Sequence, residues 1–222
     1  MAKPVDARDL KSLGLRPVRV RVPPRVLQLL GPLIACVAFA HFSSGRCSAQ
    51  QPGTPPFETI GLSLSIVGNV NRNAFHDTWR AGPGAELRLS SPFYAGTVEL
   101  GIDQLGFESR SAGVPDFRSR FVFLGWRAGV GGRSFRWSAG GRLGSYTMRF
   151  DDSSLPDYRR NENELGTEIA SQVGWRPAAP WELAVSARYR TVLTEPRIRH
   201  LNLAVTATRD FRTPRWLRDF LD

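Results

Sequence analysis

The chain has 222 residues, 41% of them hydrophobic and 23% charged, which excludes a disordered or collagen-like polymer and makes one domain the default. Its net charge of +10 invites a phosphate-binding reading, but the excess is unevenly placed. Residues 1–49 carry Lys3, Arg8, Lys11, Arg16, Arg19, Arg21, Arg25 and Arg46 against Asp6 and Asp9, whereas the remaining 173 residues interleave 22 Arg with 18 acids and contain no Lys. Nucleic acid is therefore not an expected partner.

The basic stretch leads into the apolar run "VLQLLGPLIACVAFAHF", residues 26–42, and then into "SSGRCSAQ". Positive n-region, apolar h-region and small-residue cleavage site are the order of a secretory signal peptide, with the cut expected after Ala49. An uncleaved anchor is the competing reading, since 17 apolar residues reach the lower limit for a span. A lipidated Cys36 in "LIAC" is disfavoured because the apolar run continues beyond it. Cys36 and Cys47 both precede the cut, so the exported chain would carry no disulfide.

After a periplasmic lead, residues 50–56, the sequence alternates apolar and polar residues in eight segments: 57–68, 84–91, 94–106, 118–130, 133–149, 164–175, 181–193 and 200–211. Such alternation marks half-buried strands, and most segments have the roughly 9 to 11 residues with which a tilted strand crosses a bilayer. Short connections ("SPF", "GG", "RPAAP") alternate with longer ones ("NVNRNAFHDTWRAGP", "FESRSAGVPDF", "DDSSLPDYRRNENE", "TEPRIR"), as in a barrel with turns on one side of a membrane and loops on the other. An even strand number puts both termini on the turn side. In the tail, residues 212–222, Trp216, Leu217, Phe220 and Leu221 can line one face of a short helix.

One face of the segments is apolar, as in Ile60, Leu62, Leu64 and Ile66, and periodicity does not say which way it points. Three features place it toward lipid. The opposite face mixes charge with small residues such as Gly61, Gly101, Gly125, Gly140, Gly144, Gly166 and Ala184, which make room for bulky side chains inside a narrow eight-stranded barrel. The charges on that face nearly balance: Glu86, Arg88, Glu99, Asp103, Arg127, Arg136, Arg142, Glu168, Glu182, Arg188 and Arg190 are expected to form an interior network. Finally, Phe57, Phe93, Tyr94, Phe107, Phe117, Trp175, Trp181 and Phe211 lie near segment ends, where interfacial girdles form. The fold expected is all-β, an up-and-down antiparallel eight-stranded transmembrane β-barrel with a filled polar interior, preceded by a signal peptide.

The leader, the eight segments, the turn-and-loop rhythm and a last strand ending in an aromatic, "LAVTATRDF", resemble the small bacterial outer-membrane β-barrels that include the OmpA transmembrane domain and OmpX. Such chains often end at that aromatic, whereas eleven residues follow Phe211 here. The resemblance implies a monomeric, non-enzymatic protein with a structural or surface-interaction role, inserted by the outer-membrane assembly machinery. Membrane lipid and lipopolysaccharide are its expected partners. Loop residues Arg72, Arg80, Arg110, Arg159, Arg160, Arg197 and Arg199 are suited to lipopolysaccharide phosphates.

Two rival readings share this pattern. A lipid A-modifying barrel enzyme would need a His with a carboxylate or a Ser, and the candidates are His76, Asp77 and His200. Adjacent residues rarely face each other, and His200 is followed by Leu201 and Asn202 rather than by a Ser two residues on. No metal or cofactor is expected, because two separated histidines without cysteine make no ligand cluster. A secreted lipocalin-like barrel would instead turn the apolar face inward around a ligand.

Overall fold

A computed structural model describes residues 56–71, 73–132, 134–151 and 161–216. The expected leader, with Cys36 and Cys47, lies outside the described residues. In chain order the elements are β1 (Thr59–Asn69), α1 (Ala74–Thr78), β2 (Trp79–Phe93), β3 (Gly96–Ser109), β4 (Phe117–Gly131), β5 (Phe135–Phe150), β6 (Asn161–Ala178), β7 (Trp181–Val192) and β8 (Ile198–Arg212). Each strand pairs antiparallel with the next, and β8 returns to β1 from Thr59↔Arg212 to Asn69↔Asn202, which closes the barrel. Closure leaves no strand edge unpaired.

Phe93 and Gly96, Gly131 and Phe135, and Ala178 and Trp181 lie at the end that carries Thr59 and Arg212, while Asn69 and Trp79, Ser109 and Phe117, Phe150 and Asn161, and Val192 and Ile198 lie at the other. The strands reach further toward the loops than alternation suggests. β2 begins at Trp79 rather than 84 because a bulge between Ala81 and Gly84 absorbs the "AGPG" run that reads as a loop. β6 likewise starts within the polar "NENE" at Asn161. Rungs beyond the apolar belt need backbone pairing but no apolar face, so they leave no period-2 signal.

The apolar face points outward. Leu64 is 62% exposed, Ile66 70%, Ile169 70% and Val205 61%, while the alternate Ser63, Ser65, Glu86, Arg88, Arg188 and Arg190 are buried. This overturns the lipocalin-like alternative, which requires apolar residues lining a cavity. Trp175, Trp181, Phe211 and Tyr94 are exposed near strand ends, and Phe57 packs on Phe93 at 5.4 Å.

Two expected girdle residues are not on the outside. Phe107 and Phe117 are each 2% exposed and stack within the barrel at 4.6 Å between ring centroids. Their parity explains this: Phe107 stands four residues from the inward Asp103, and Phe117 is its register partner across β3 and β4. The polar filling thus occupies the turn-side part of the interior, and an aromatic cluster occupies the loop side.

Candidate functional site

The interior is built from the inward positions of all eight strands. Arg142 on β5 is its hub, reaching Glu86 at 3.1 Å, Glu99 at 3.0 Å and Glu168 at 2.8 Å. Arg190 on β7 donates from Nε to Glu168 at 2.9 Å and from Nη1 to Asp103 at 3.1 Å. Arg188 pairs bidentately with Glu86 and donates from Nε to Ser186 Oγ at 3.0 Å. Arg88 lies 3.4 Å from Glu99 and 3.8 Å from Glu86, and Arg127 meets Glu99 at 3.0 Å. Burying so many charges is tolerable only because each guanidinium faces more than one oxygen or hydroxyl, or keeps water at one end.

Glycine supplies the space. A Cβ on Gly125 would lie 2.7 Å from Cγ of Arg142, and one on Gly101 would lie 2.5 Å from the ring of Phe123. The hub and the first aromatic layer therefore depend on adjacent positions having no side chain.

Arg142 and Arg190 also join the two parts of the interior. Arg142 lies over Phe123 at 4.5 Å and Arg190 over Phe121 at 4.1 Å. Both arginines use their edges for carboxylates and a face for an aromatic ring.

Of the other expected network members, Glu182 pairs instead with Arg176 at 2.9 Å, and Arg176 approaches Asp210 at 3.8 Å. Together with Arg127 and Arg136 they line a polar vestibule that opens at the turn end. Arg176 and Asp210 were missed by the sequence reading. Continuing the inward parity of β8 through Asn202, Thr206 and Thr208 would have reached Asp210, whereas a bulge between Trp175 and Ala178 hides Arg176 from any such count.

Toward the loops, α1 caps the aromatic cluster. Phe75 contacts Phe107 at 5.5 Å, Phe117 at 6.0 Å and His200 at 5.3 Å, and Trp79 donates from Nε1 to Pro115 O at 3.1 Å. The Asn-rich "NVNRN" run, also missed, stitches this cap to β8. Asn71 and Asn73 donate to Arg199 O at 2.9 and 3.0 Å, and Asn69 donates to Asn202 Oδ1 at 3.0 Å.

The candidate catalytic residues belong to this cap. His76 Nδ1 pairs with Asn73 Oδ1 at 2.8 Å, Asp77 is exposed, and His200 is buried between Tyr146 Oη at 3.4 Å and Asn69 at 3.5 Å. Burial and then Arg110 hold the His76 imidazole below its ordinary pKa, with Asp77 opposing them. The two rings meet edge-on at 6.1 Å, and neither nitrogen pair is oriented by a carboxylate. Among the described residues, no group of three metal-ligating side chains occurs.

The expected outer arginines that are described, Arg80, Arg110, Arg197 and Arg199, are all exposed at the loop end. Arg72, Arg159 and Arg160 lie outside the described residues.

No protein-family model and no curated protein matches the chain. Solved structures do resemble it. The N-terminal β-barrel domain of OprF from Pseudomonas aeruginosa aligns with 71% of this chain and 100% of its own, at 9% identity and a TM-score of 0.49. Ail, the attachment invasion locus protein of Yersinia pestis, covers 69% of this chain and 95% of its own, at 13% identity and a TM-score of 0.43. Neisserial surface protein A covers 70% and 96%, at 13% identity and a TM-score of 0.44. At these values the likeness concerns the fold alone.

Proposed function

We propose that this chain is a non-enzymatic barrel of the bacterial outer membrane with a surface-interaction role, its outer loops contacting lipopolysaccharide. The observation that carries the reading is the outward apolar belt around a closed, charge-filled interior, since residues such as Ile66, Ile169 and Val205 need an apolar solvent around the whole circumference. The route is export behind the leader and insertion by the assembly machinery, and the barrel acts as a monomer. The packed interior opposes a wide pore, and His76 and His200 hydrogen-bond Asn73 and Tyr146 rather than a carboxylate that would orient a general base. Arg80, Arg110, Arg197 and Arg199 then stand where lipopolysaccharide begins.

Mobility of the membrane fraction on gels with and without boiling tests the first half. A band in the outer membrane that shifts only on boiling is the expected result, and a soluble, unshifted protein would overturn the reading. For the loops, purified protein should bind lipopolysaccharide, and R80Q/R110Q/R197Q/R199Q should bind it more weakly. Equal binding by that variant would remove the loops from the contact.

A further inference from the structure

The outward face of β4 changes character along its length. Trp126, Leu124 and Val122 are exposed and apolar, and the next two outward positions toward the loops are Arg120 and Arg118, both exposed. On β5, Leu143 is followed on the same face by Ser145, Thr147 and Arg149. The register sets Arg118 directly opposite Arg149, and Arg120 opposite Thr147. Like charges directly opposite on an antiparallel pair repel.

No carboxylate of the described residues forms an ion pair with Arg118, Arg120 or Arg149. The other neighbour, β3, presents Gly106 beside Arg118 and Gln104 beside Arg120. The nearest outward acids stand one step beyond the cluster: Glu108 two residues past Gly106, Asp116 two before Arg118 and Asp151 two past Arg149. Of these, Asp116 accepts the Ser109 N–H at 2.6 Å and holds the Asp151 N–H through its backbone carbonyl at 2.8 Å. Three guanidinium groups thus share one outward patch, and no carboxylate of the described residues is ion-paired with any of them.

We propose that Arg118, Arg120 and Arg149 form a clamp for the phosphate of a lipid A headgroup on the outer wall of the barrel. The clamp rests on the reading that the loop end faces outward through the outer leaflet. Its height selects the occupant: at ~3.3 Å per residue, Arg120 lies about 7 Å along β4 from Val122, where hydrocarbon gives way to headgroups. Its chemistry selects the same occupant, because guanidinium presents a planar fork of donors to phosphate oxygens, and one anion between Arg118 and Arg149 turns their repulsion into a bridge. A soluble anion finds the same charges but no acyl chains to lay along Leu124 and Leu143.

The test uses the full chain folded in neutral detergent, reading the temperature at which the folded gel band converts to the unfolded one. Diphosphoryl lipid A should raise that temperature, whereas dephosphorylated lipid A, phosphatidylglycerol and inorganic phosphate should not. R118Q/R149Q should lose the rise and bind diphosphoryl lipid A about tenfold more weakly, the equivalent of one charge-assisted hydrogen bond. Without lipid A this variant should fold at least as well as the natural chain, since it relieves a repulsion, so a lost response is not a folding failure. R80Q/R110Q/R197Q/R199Q should keep the rise. The clamp is overturned if R118Q/R149Q responds like the natural chain, a result that leaves the loop contacts standing. It is also overturned if the natural chain shows no rise, or if inorganic phosphate or phosphatidylglycerol raises the midpoint equally.

Discussion

The turn-side and loop-side parts of the barrel interior are filled by opposite means. On the turn side, Arg88, Arg142, Arg188 and Arg190 are held against Glu86, Glu99, Asp103 and Glu168, and packing is set by discrete hydrogen-bond geometry. On the loop side, Phe107, Phe117, Phe121, Phe123, Tyr146 and Met148 are held by contact area, with α1 as a stopper. Ionic filling is brittle, because removing one member strands the charges it satisfied, while aromatic filling degrades in proportion to the volume lost. The narrow barrel thus carries a rigid plug that specifies strand register and, above it, a softer one beneath its outer loops.

The largest difference between the two should come from Glu86. Its carboxylate meets Arg88, Arg142 and Arg188, so Glu86→Leu leaves the buried Arg188 without a counter-charge and takes one carboxylate each from Arg88 and Arg142. We expect a loss of about 3–5 kcal/mol in urea unfolding of the detergent-folded protein. A loss below about 1 kcal/mol would show that water enters the network and that it is not brittle. Phe121→Leu tests the softer side. It removes the ring beneath Arg190 but keeps an apolar group of similar bulk, and should cost about 1–1.5 kcal/mol in the same measurement. If Phe121→Leu costs as much as Glu86→Leu, the distinction between the two parts fails.

The same contrast explains what the sequence could say. Charged residues on an otherwise small-residue face are conspicuous, because a solvated strand has no reason to set Gly101 and Gly125 among Glu99, Asp103 and Arg127. Arg142 and Arg190 therefore stand out in the sequence as interior charges, whereas Glu182 pairs with Arg176 in the vestibule, which parity did not reach. Aromatics carry no such label. A Phe near a strand end suits a lipid girdle or a barrel interior equally, and only parity separates Phe107, which is inside, from Phe211, which is outside. The cap was illegible for another reason. Asn71 and Asn73 act through the backbone carbonyl of Arg199, some 130 residues away, and hydrogen bonds to backbone leave no pattern in the partner's sequence.

Proton uptake offers a smaller perturbation that reaches the loop side alone. His76 packs edge-on to Phe75 at 5.3 Å, and its Nε2 is buried without a hydrogen-bond partner. Burial and the Arg110 charge hold its pKa below the ordinary 6.5 despite Asp77. A histidine whose folded pKa lies below its unfolded value is fully stabilising above about pH 6.5, and that stability is lost as pH falls through the folded pKa. Protection factors of the α1 amides, which remove the intrinsic pH dependence of exchange, should therefore fall on acidification while those of the turn-side strands do not, and His76→Gln should remove the fall. A fall that persists in His76→Gln would place the sensitive group elsewhere.

The smallest effect should come from the vestibule, where the ionic interior meets water. Arg176 joins Glu182 at 2.9 Å and Asp210 at 3.8 Å, a geometry comparable to that of the buried pairs, but its side chain is 46% exposed. Solvent screens the pair, and the freed carboxylates regain water when the arginine is removed, so Arg176→Gln should cost less than about 1 kcal/mol and less still at high salt. The substitution removes the same kind of bond as Glu86→Leu does, and only the depth differs. If Arg176→Gln instead costs several kcal/mol, burial is not what makes the turn-side network brittle, and the source must be the strand pairing that those side chains enforce across β6, β7 and β8.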